Sequence, residues 1–202
     1  ETREKLRNEL GIDRMLKDIE PLVEGSMEGA ERVSEIVQNL RIFTTPQKRE
    51  NEAFDLVHVL ERSISWVVKA AKFKPQMTTQ FPASLQLVNN EGYVHQILIN
   101  LIQNAFDAIS EVASPSLNIR ISQDKTLAHI RIKDNGKGIS KENLLKIFDP
   151  FFTTKAVGSG TGLGLYISYG LATEQCQGDL QVHNLHEGGV EFTFSLPLDN
   201  KS

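Results

Sequence analysis

With 202 residues, 40% of them hydrophobic and 24% charged, the chain can bury one good core, or one core and a smaller appendage. A formal charge of −4 with no block of like charges offers no basic surface for nucleic acid. The single cysteine, Cys176, excludes an internal disulfide and fits a reducing compartment, and no apolar run of about 18 residues is present to span a membrane. No signal peptide is visible, so a cytoplasmic setting is expected. A chain that opens at Glu1 already in a helical pattern is expected to be a piece of a longer protein.

Apolar residues first recur at spacings of three and four: Ile12, Met15, Ile19 and Leu22, then Val33, Ile36, Leu40 and Phe43, with Ser26 and Gly29 on the same register. This heptad-like stripe predicts a helical segment over 1–45 that packs in a bundle or against a partner helix, the alternative being a helix packed on its own domain. Pro21 would kink it or start a fresh segment. Residues 46–53 are polar and read as a linker, leaving 54–202 as a second domain. There Asp55 can cap a helix running to about 72, with Val57, Leu60, Ile64, Val67, Val68 and Ala71 on its apolar face. Short strands are expected near 77–81 and 85–88, then a helix from 91 to about 112. Alternating segments at 117–122 and 127–133 predict a hairpin. A short helix over 141–148, a loop rich in Thr and Gly, a helix from near 162 to just before 178, and strands at 179–184 and 190–196 complete the order. Grouped strands with segregated helices predict an α+β fold, a two-layer sandwich whose mixed sheet is covered by helices on one face.

Four segments carry chemistry. On the long helix, Ile97, Leu98, Leu101, Ala105 and Ala108 share one face, while Asn100, Asn104 and Asp107 align on a second stripe. Polar side chains on an otherwise apolar helix need partners, and a row of oxygens facing a divalent cation is the sharper explanation. Asp134-Asn135-Gly136-Lys137-Gly138-Ile139 follows a strand; its Asp could accept from an exocyclic amine, and its glycines would let the backbone approach a flat ring. Phe148-Asp149-Pro150-Phe151-Phe152-Thr153-Thr154-Lys155 reads as a loop anchored by its three Phe, with Lys155 reaching anionic phosphates. Gly158-Ser159-Gly160-Thr161-Gly162-Leu163-Gly164-Leu165 leads into a helix and places backbone N–H groups where a phosphate can bind. It is neither a Walker loop, lacking the Gly-Lys-Ser/Thr ending, nor a dinucleotide fingerprint, lacking a strand directly before it.

In order and spacing these segments resemble the N, G1, F and G2 boxes of the GHKL superfamily, whose ATP site is called the Bergerat fold. The resemblance covers about residues 54–198, and the Phe-rich box followed by Gly160–Leu165 is similar to bacterial sensor histidine kinases. It implies that Asn104 coordinates Mg²⁺ between the phosphates of ATP, with Asn100 one turn earlier. It implies that Asp134 reads the adenine amino group, that Gly136, Gly138 and Ile139 line the base pocket, and that Phe148, Thr154, Lys155 and the backbone from Gly160 to Leu165 form lid and phosphate cradle. Asp107 resembles the form of the first box found in nitrogen-regulator-type kinases. Where ATPases of this superfamily carry a water-activating Glu, this chain has Asn100, and an amide is no useful base at neutral pH. Phosphoryl transfer is therefore expected over hydrolysis.

The resemblance also implies a response-regulator receiver domain as partner, a homodimer through the N-terminal helices, and membrane contact only through regions outside this chain. None of His58, His95, His129, His183 and His186 precedes an acidic residue on the N-terminal helix, so the phospho-acceptor His is expected outside the chain. The competing readings are an ATP-binding regulatory or dimerisation module without phosphotransfer, and a GHKL ATPase or protein-serine kinase.

Overall fold

The computed structural model describes residues 51–155 and 160–198, and in the N-terminal stretch Asp18, Ile19, 21–23, 25–27, Gly29, Ala30 and Val33. These last are helical, and of the predicted stripe Ile19, Leu22 and Val33 are 51%, 68% and 60% exposed. Ile12, Met15, Ile36, Leu40 and Phe43 of the stripe, and residues 46–50 of the linker, lie outside the described residues. The chain divides into two compact units, Glu1–Pro46 with Thr153–Thr161, and Gln47–Phe152 with Gly162–Ser202.

The second unit opens with β1 (Glu52–Asp55), where the polar sequence reads as the end of a linker. Its burial rests on Phe54, which lies opposite Leu87 in an antiparallel pairing with β3 (Gln86–Asn89). Asp55 then caps α1 (Leu56–Ala70), its Oδ1 accepting from the N–H groups of Val57 (3.0 Å) and Leu85 (3.1 Å). Burial raises the Asp55 pKa, but the Leu85 N–H, the Ser84 hydroxyl, the Val57 N–H and His58 outweigh it and hold the carboxyl below its ordinary range. Asn90 caps α2 (Glu91–Ile109) in the same way, through the Tyr93 N–H. Along α2, Val94, Ile97, Leu98, Leu101, Ile102, Ala105, Phe106 and Ile109 are all buried, the spacing of three and one that gives a helix a single wide apolar face.

That face covers one side of a five-stranded sheet of order β2-β4-β5-β7-β6. Its strands are β2 (Gln76–Gln80), β4 (Ser116–Gln123), β5 (Leu127–Asp134), β6 (Asp179–Asn184) and β7 (Val190–Pro197). β2 runs parallel to β4, and every other pairing is antiparallel, so the sheet is mixed. Ile119, Ile132 and Phe192 are cross-strand neighbours, as are Ile130, Phe194 and Leu180, and all six are buried. The residues between them, such as Arg120, Arg131 and Thr193, face the other way. A two-layer arrangement with helices on one face follows, as expected.

The remaining helices are shorter than their sequence patterns. α3 is Lys141–Leu144, capped by the Ser140 hydroxyl, and turns continue toward Phe148. α4 is Gly164–Gly170; beyond it the backbone widens into a π turn over Leu171–Gln175, where the Cys176 N–H donates to Leu171 O at 2.8 Å. The wide turn lets Asn89 Nδ2 donate to Cys176 O and joins the end of the helix to the start of α2.

Candidate functional site

Asp134 is the last residue of β5 and only 3% exposed. Its Oδ1 accepts from the Gly136 N–H (2.8 Å) and from the Val190 N–H at the start of β7 (3.3 Å). Both bonds fall on Oδ1, and Oδ2 has no hydrogen bond among the described residues. Burial pushes the Asp134 pKa up, and the two backbone donors oppose the shift without cancelling it. Gly136 is fitted between this carboxylate and α2: a Cβ there would lie 2.8 Å from Ala108 O and 2.9 Å from Asp134 Oδ1. Gly138 adopts φ +78°, open to glycine at little cost. Ile139 is held through its main chain by the side chain of Asn184. Asn135 braces the far side, accepting from Ser116 N–H and donating to Ser114 O.

Asn100 and Asn104 lie one turn apart on α2. Asn104 Nδ2 is buried and has no hydrogen-bond partner, the one such side-chain atom among the described residues. Asn104 as a whole is half-buried. Asn100 is tied down: Nδ2 donates to the buried Ser168 hydroxyl at 2.8 Å, and a Cβ on Gly164 would overlap Asn100 Oδ1. Glycine at the first residue of α4 thus lets the helix rest directly on the Asn100 amide. The start of α4 has no side-chain cap, and Leu163 before it is buried. Asp107 Oδ1 accepts from Gln103 on the same helix, and its main-chain carbonyl accepts from Ser110.

Of the three Phe expected to anchor the loop, Phe148 does so, its ring centroid 4.8 Å from that of Tyr169 on α4. Phe152 is half-buried, whereas Phe151 is 70% exposed. Phe151 has φ +66° and Gly162 φ +67°, and a Cβ on Gly162 would overlap the Phe151 main chain. The two ends of the intervening segment therefore meet backbone to backbone. Thr154, Lys155, Gly160 and Thr161 belong to the other compact unit, within which the Lys155 N–H donates to Thr153 Oγ1 and a Cβ on Gly160 would lie 3.1 Å from Lys155 Cδ. Gly158 and Ser159 lie outside the described residues. Asn100, Asn104, Asp107, Asp134, Gly136, Gly138, Ile139, Phe148, Gly162, Leu163, Gly164 and Leu165 all belong to the second unit. Sequence reasoning missed Ser168, which bonds Asn100; Asn184, which bonds Ile139; and Gly189, whose backbone lies against Asp134.

The family model described as histidine kinase-, DNA gyrase B- and HSP90-like ATPase matches residues 89–200, which span the long helix, the Asp134 loop and the final hairpin. The chain belongs to this ATPase family. Among curated family members it is 33% identical over 169 residues to the signal transduction histidine-protein kinase AtoS of Escherichia coli (strain K12), covering 83% of this chain and 27% of AtoS. The chain spans 26–36% of the length of the first curated relatives it matches. Among solved structures, a nucleotide-free catalytic domain of the histidine kinase ThkA matches with TM-score 0.65 at 28% identity, over 74% of this chain and 98% of that one. ThkA in complex with the response regulator TrrA shares the fold, with TM-score 0.71 at 24% identity over 86% of this chain and 49% of that chain.

Proposed function

We propose that this chain is the ATP-binding catalytic portion of a sensor histidine kinase. It takes the γ-phosphate of ATP and passes it to a histidine outside these 202 residues, for relay to an aspartate on a response-regulator receiver domain. The observation that carries this reading is Asn100. Its amide nitrogen is spent on Ser168 and its oxygen rests on Gly164, so at the position where hydrolytic relatives need a base there is a strut and no proton acceptor. A phosphate held beside it is kept for an incoming nucleophile, and catalysis is positioning and charge dispersal.

Asp134 Oδ2 would accept from the adenine amino group, with Gly136, Gly138 and Ile139 along the ring. Asn104 Oδ1 fits a Mg²⁺ ligand: it is a neutral oxygen on an amide whose other end is buried without a partner, and Mg²⁺ bound to phosphates needs few protein ligands. When bound, the cation would neutralise charge on the phosphates. Lys155, with Thr154 and the backbone from Gly160 to Leu165, would hold the phosphate tail. The domain limits 1–45, 46–53 and 54–202 accompany this reading, with the N-terminal helical segment pairing copies of the chain. The exposed Ile19, Leu22 and Val33 support that pairing. The ThkA complex supports a receiver-domain partner. The setting is the cytoplasm, with any membrane contact made by other regions of the intact protein.

The test mixes the chain with ATP labelled at the γ-phosphate and a protein carrying a histidine kinase hairpin helix. Acid-labile, base-stable label on the partner is expected, with little ATP turnover by the chain alone. Steady hydrolysis without a partner would overturn the role given to Asn100.

A pH dependence follows from Asp134. Its carboxylate must stay charged to accept well, and burial makes it protonate above the ordinary 3.8, so nucleotide affinity is expected to fall on acidification before a free carboxylate would titrate. Asp134→Asn is the reference, because the nucleotide's own titration is common to both proteins; identical pH profiles would refute the assignment. Stability responds with the opposite sign. The folded pKa lies above the unfolded one, so the native state takes up the proton first and the cost of burying this charge is relieved as pH falls.

A further inference from the structure

Asn184, the last residue of β6, makes two hydrogen bonds to one residue distant in sequence. Its Oδ1 accepts from the Ile139 N–H at 2.8 Å, and its Nδ2 donates to Ile139 O at 2.5 Å. The two partners fix which way round the amide sits, since an N–H must meet oxygen at one end and a carbonyl must meet NH₂ at the other. Ile139 closes the loop that Asp134 opens. Lys137 and Gly138, in its middle, make no hydrogen bond among the described residues, so the loop is secured only near its ends.

Both ends are secured by the β6–β7 hairpin. Val190 N–H holds Asp134 Oδ1, the Gly189 backbone lies against Asp134 O, and Asn184 holds Ile139. The same amide flanks Gly138, where a Cβ would lie 3.2 Å from Asn184 Oδ1. Cutting the Asn184 bonds would free one end of the loop and leave the Asp134 end intact.

We propose that Asn184 is a positioning residue for the nucleotide base: by fastening Ile139 it holds the 136–139 main chain at the spacing from Asp134 that an adenine ring requires, and so sets both base affinity and the preference for adenine over guanine. This rests on reading the site as a nucleotide site. Asn184 acts on the base alone and has no part in holding phosphate.

The test measures binding of adenosine, ATP and GTP to the full 202-residue chain, to Asn184→Ala and to Asn184→Asp, with thermal unfolding of each. Asn184→Ala is expected to weaken adenosine and ATP by the same factor, about tenfold for two solvent-exposed hydrogen bonds. The ratio of ATP to adenosine affinity should stay constant, and the preference for ATP over GTP should shrink. Asn184→Asp is nearly isosteric and keeps the acceptor for the Ile139 N–H, so it should fall between, and it provides the measurement if the alanine variant unfolds. A merely structural role would lower the unfolding temperature and leave the ATP-to-GTP preference unchanged, which would overturn the proposal. A wild type that binds ATP, with both variants binding it equally well, overturns the proposal alone. A wild type that binds no adenine nucleotide overturns the nucleotide reading beneath it.

Discussion

Asn104→Ala is expected to weaken Mg²⁺-dependent ATP binding about a hundredfold, the cost of losing a ligand to a charged group, while leaving the fold as stable as before or more so. The two halves of this expectation have different causes. The affinity would be lost with Oδ1, the oxygen proposed to meet the cation. The stability is spared because the deleted group includes Nδ2, which is buried with no partner. A buried donor left unpaired costs about 1–3 kcal/mol, and alanine both removes it and favours the helix that carries it. Asn104→Asp keeps an oxygen at the same place and should retain more affinity than the alanine variant. Calorimetric titration with ATP in Mg²⁺ and in excess chelator, beside thermal unfolding, separates the effects. Unchanged affinity would remove Asn104 from the metal site, and a large fall in unfolding temperature would mean that its amide is structural.

The elements of the second unit were legible wherever one rule governed them. Alternation in 117–122 and 127–133 marked β4 and β5 because each strand has one buried face, and the apolar face of α2 marked the helix that covers them. β1 was not legible, because Glu52 and Ala53 read as linker and only the cross-strand contact of Phe54 with Leu87 makes the segment a strand. The break in the last helix was hidden for a similar reason. The π turn at Leu171–Gln175 ends at a tertiary bond, Asn89 to Cys176 O, whose partners lie 87 residues apart. Within the candidate site, Asn100 and Asn104 were visible as polar residues on an otherwise apolar helix, and Asp134 as the head of a Gly-containing loop after a strand. Ser168 and Asn184 were not, since a Ser on a helix and an Asn ending a strand have ordinary explanations, and their partners lie 68 and 45 residues away. Gly188-Gly189 has the composition of a turn, but nothing local says that one of the two lies against Asp134.

That difference between adjacent glycines gives the second large effect. Both are left-handed, at φ +89° and +87°, so alanine at either position carries a strain of about 1–2 kcal/mol. At Gly188 that is all, because the nearest atom to an added Cβ is Gly136 O at 3.7 Å, an ordinary contact. At Gly189 the added Cβ would overlap the carbonyl oxygen of Asp134, and Asn135 Cα would lie 2.9 Å away. These are backbone atoms, so no rotamer change relieves the overlap, and either β5 or β7 must shift. Overpacking of this kind adds roughly 1–3 kcal/mol. Gly189→Ala should therefore cost about 2–5 kcal/mol against about 1–2 for Gly188→Ala, read from denaturant midpoints at equal slope. The shift would also pull the Val190 N–H away from Asp134 Oδ1, so adenosine binding should fall in Gly189→Ala and persist in Gly188→Ala. Equal destabilisation by the two substitutions would mean that φ alone governs the turn. Intact adenosine binding in Gly189→Ala would mean that the hairpin does not set the Asp134 carboxylate, and the case for the β6–β7 turn as the clip of the base loop would fall with it.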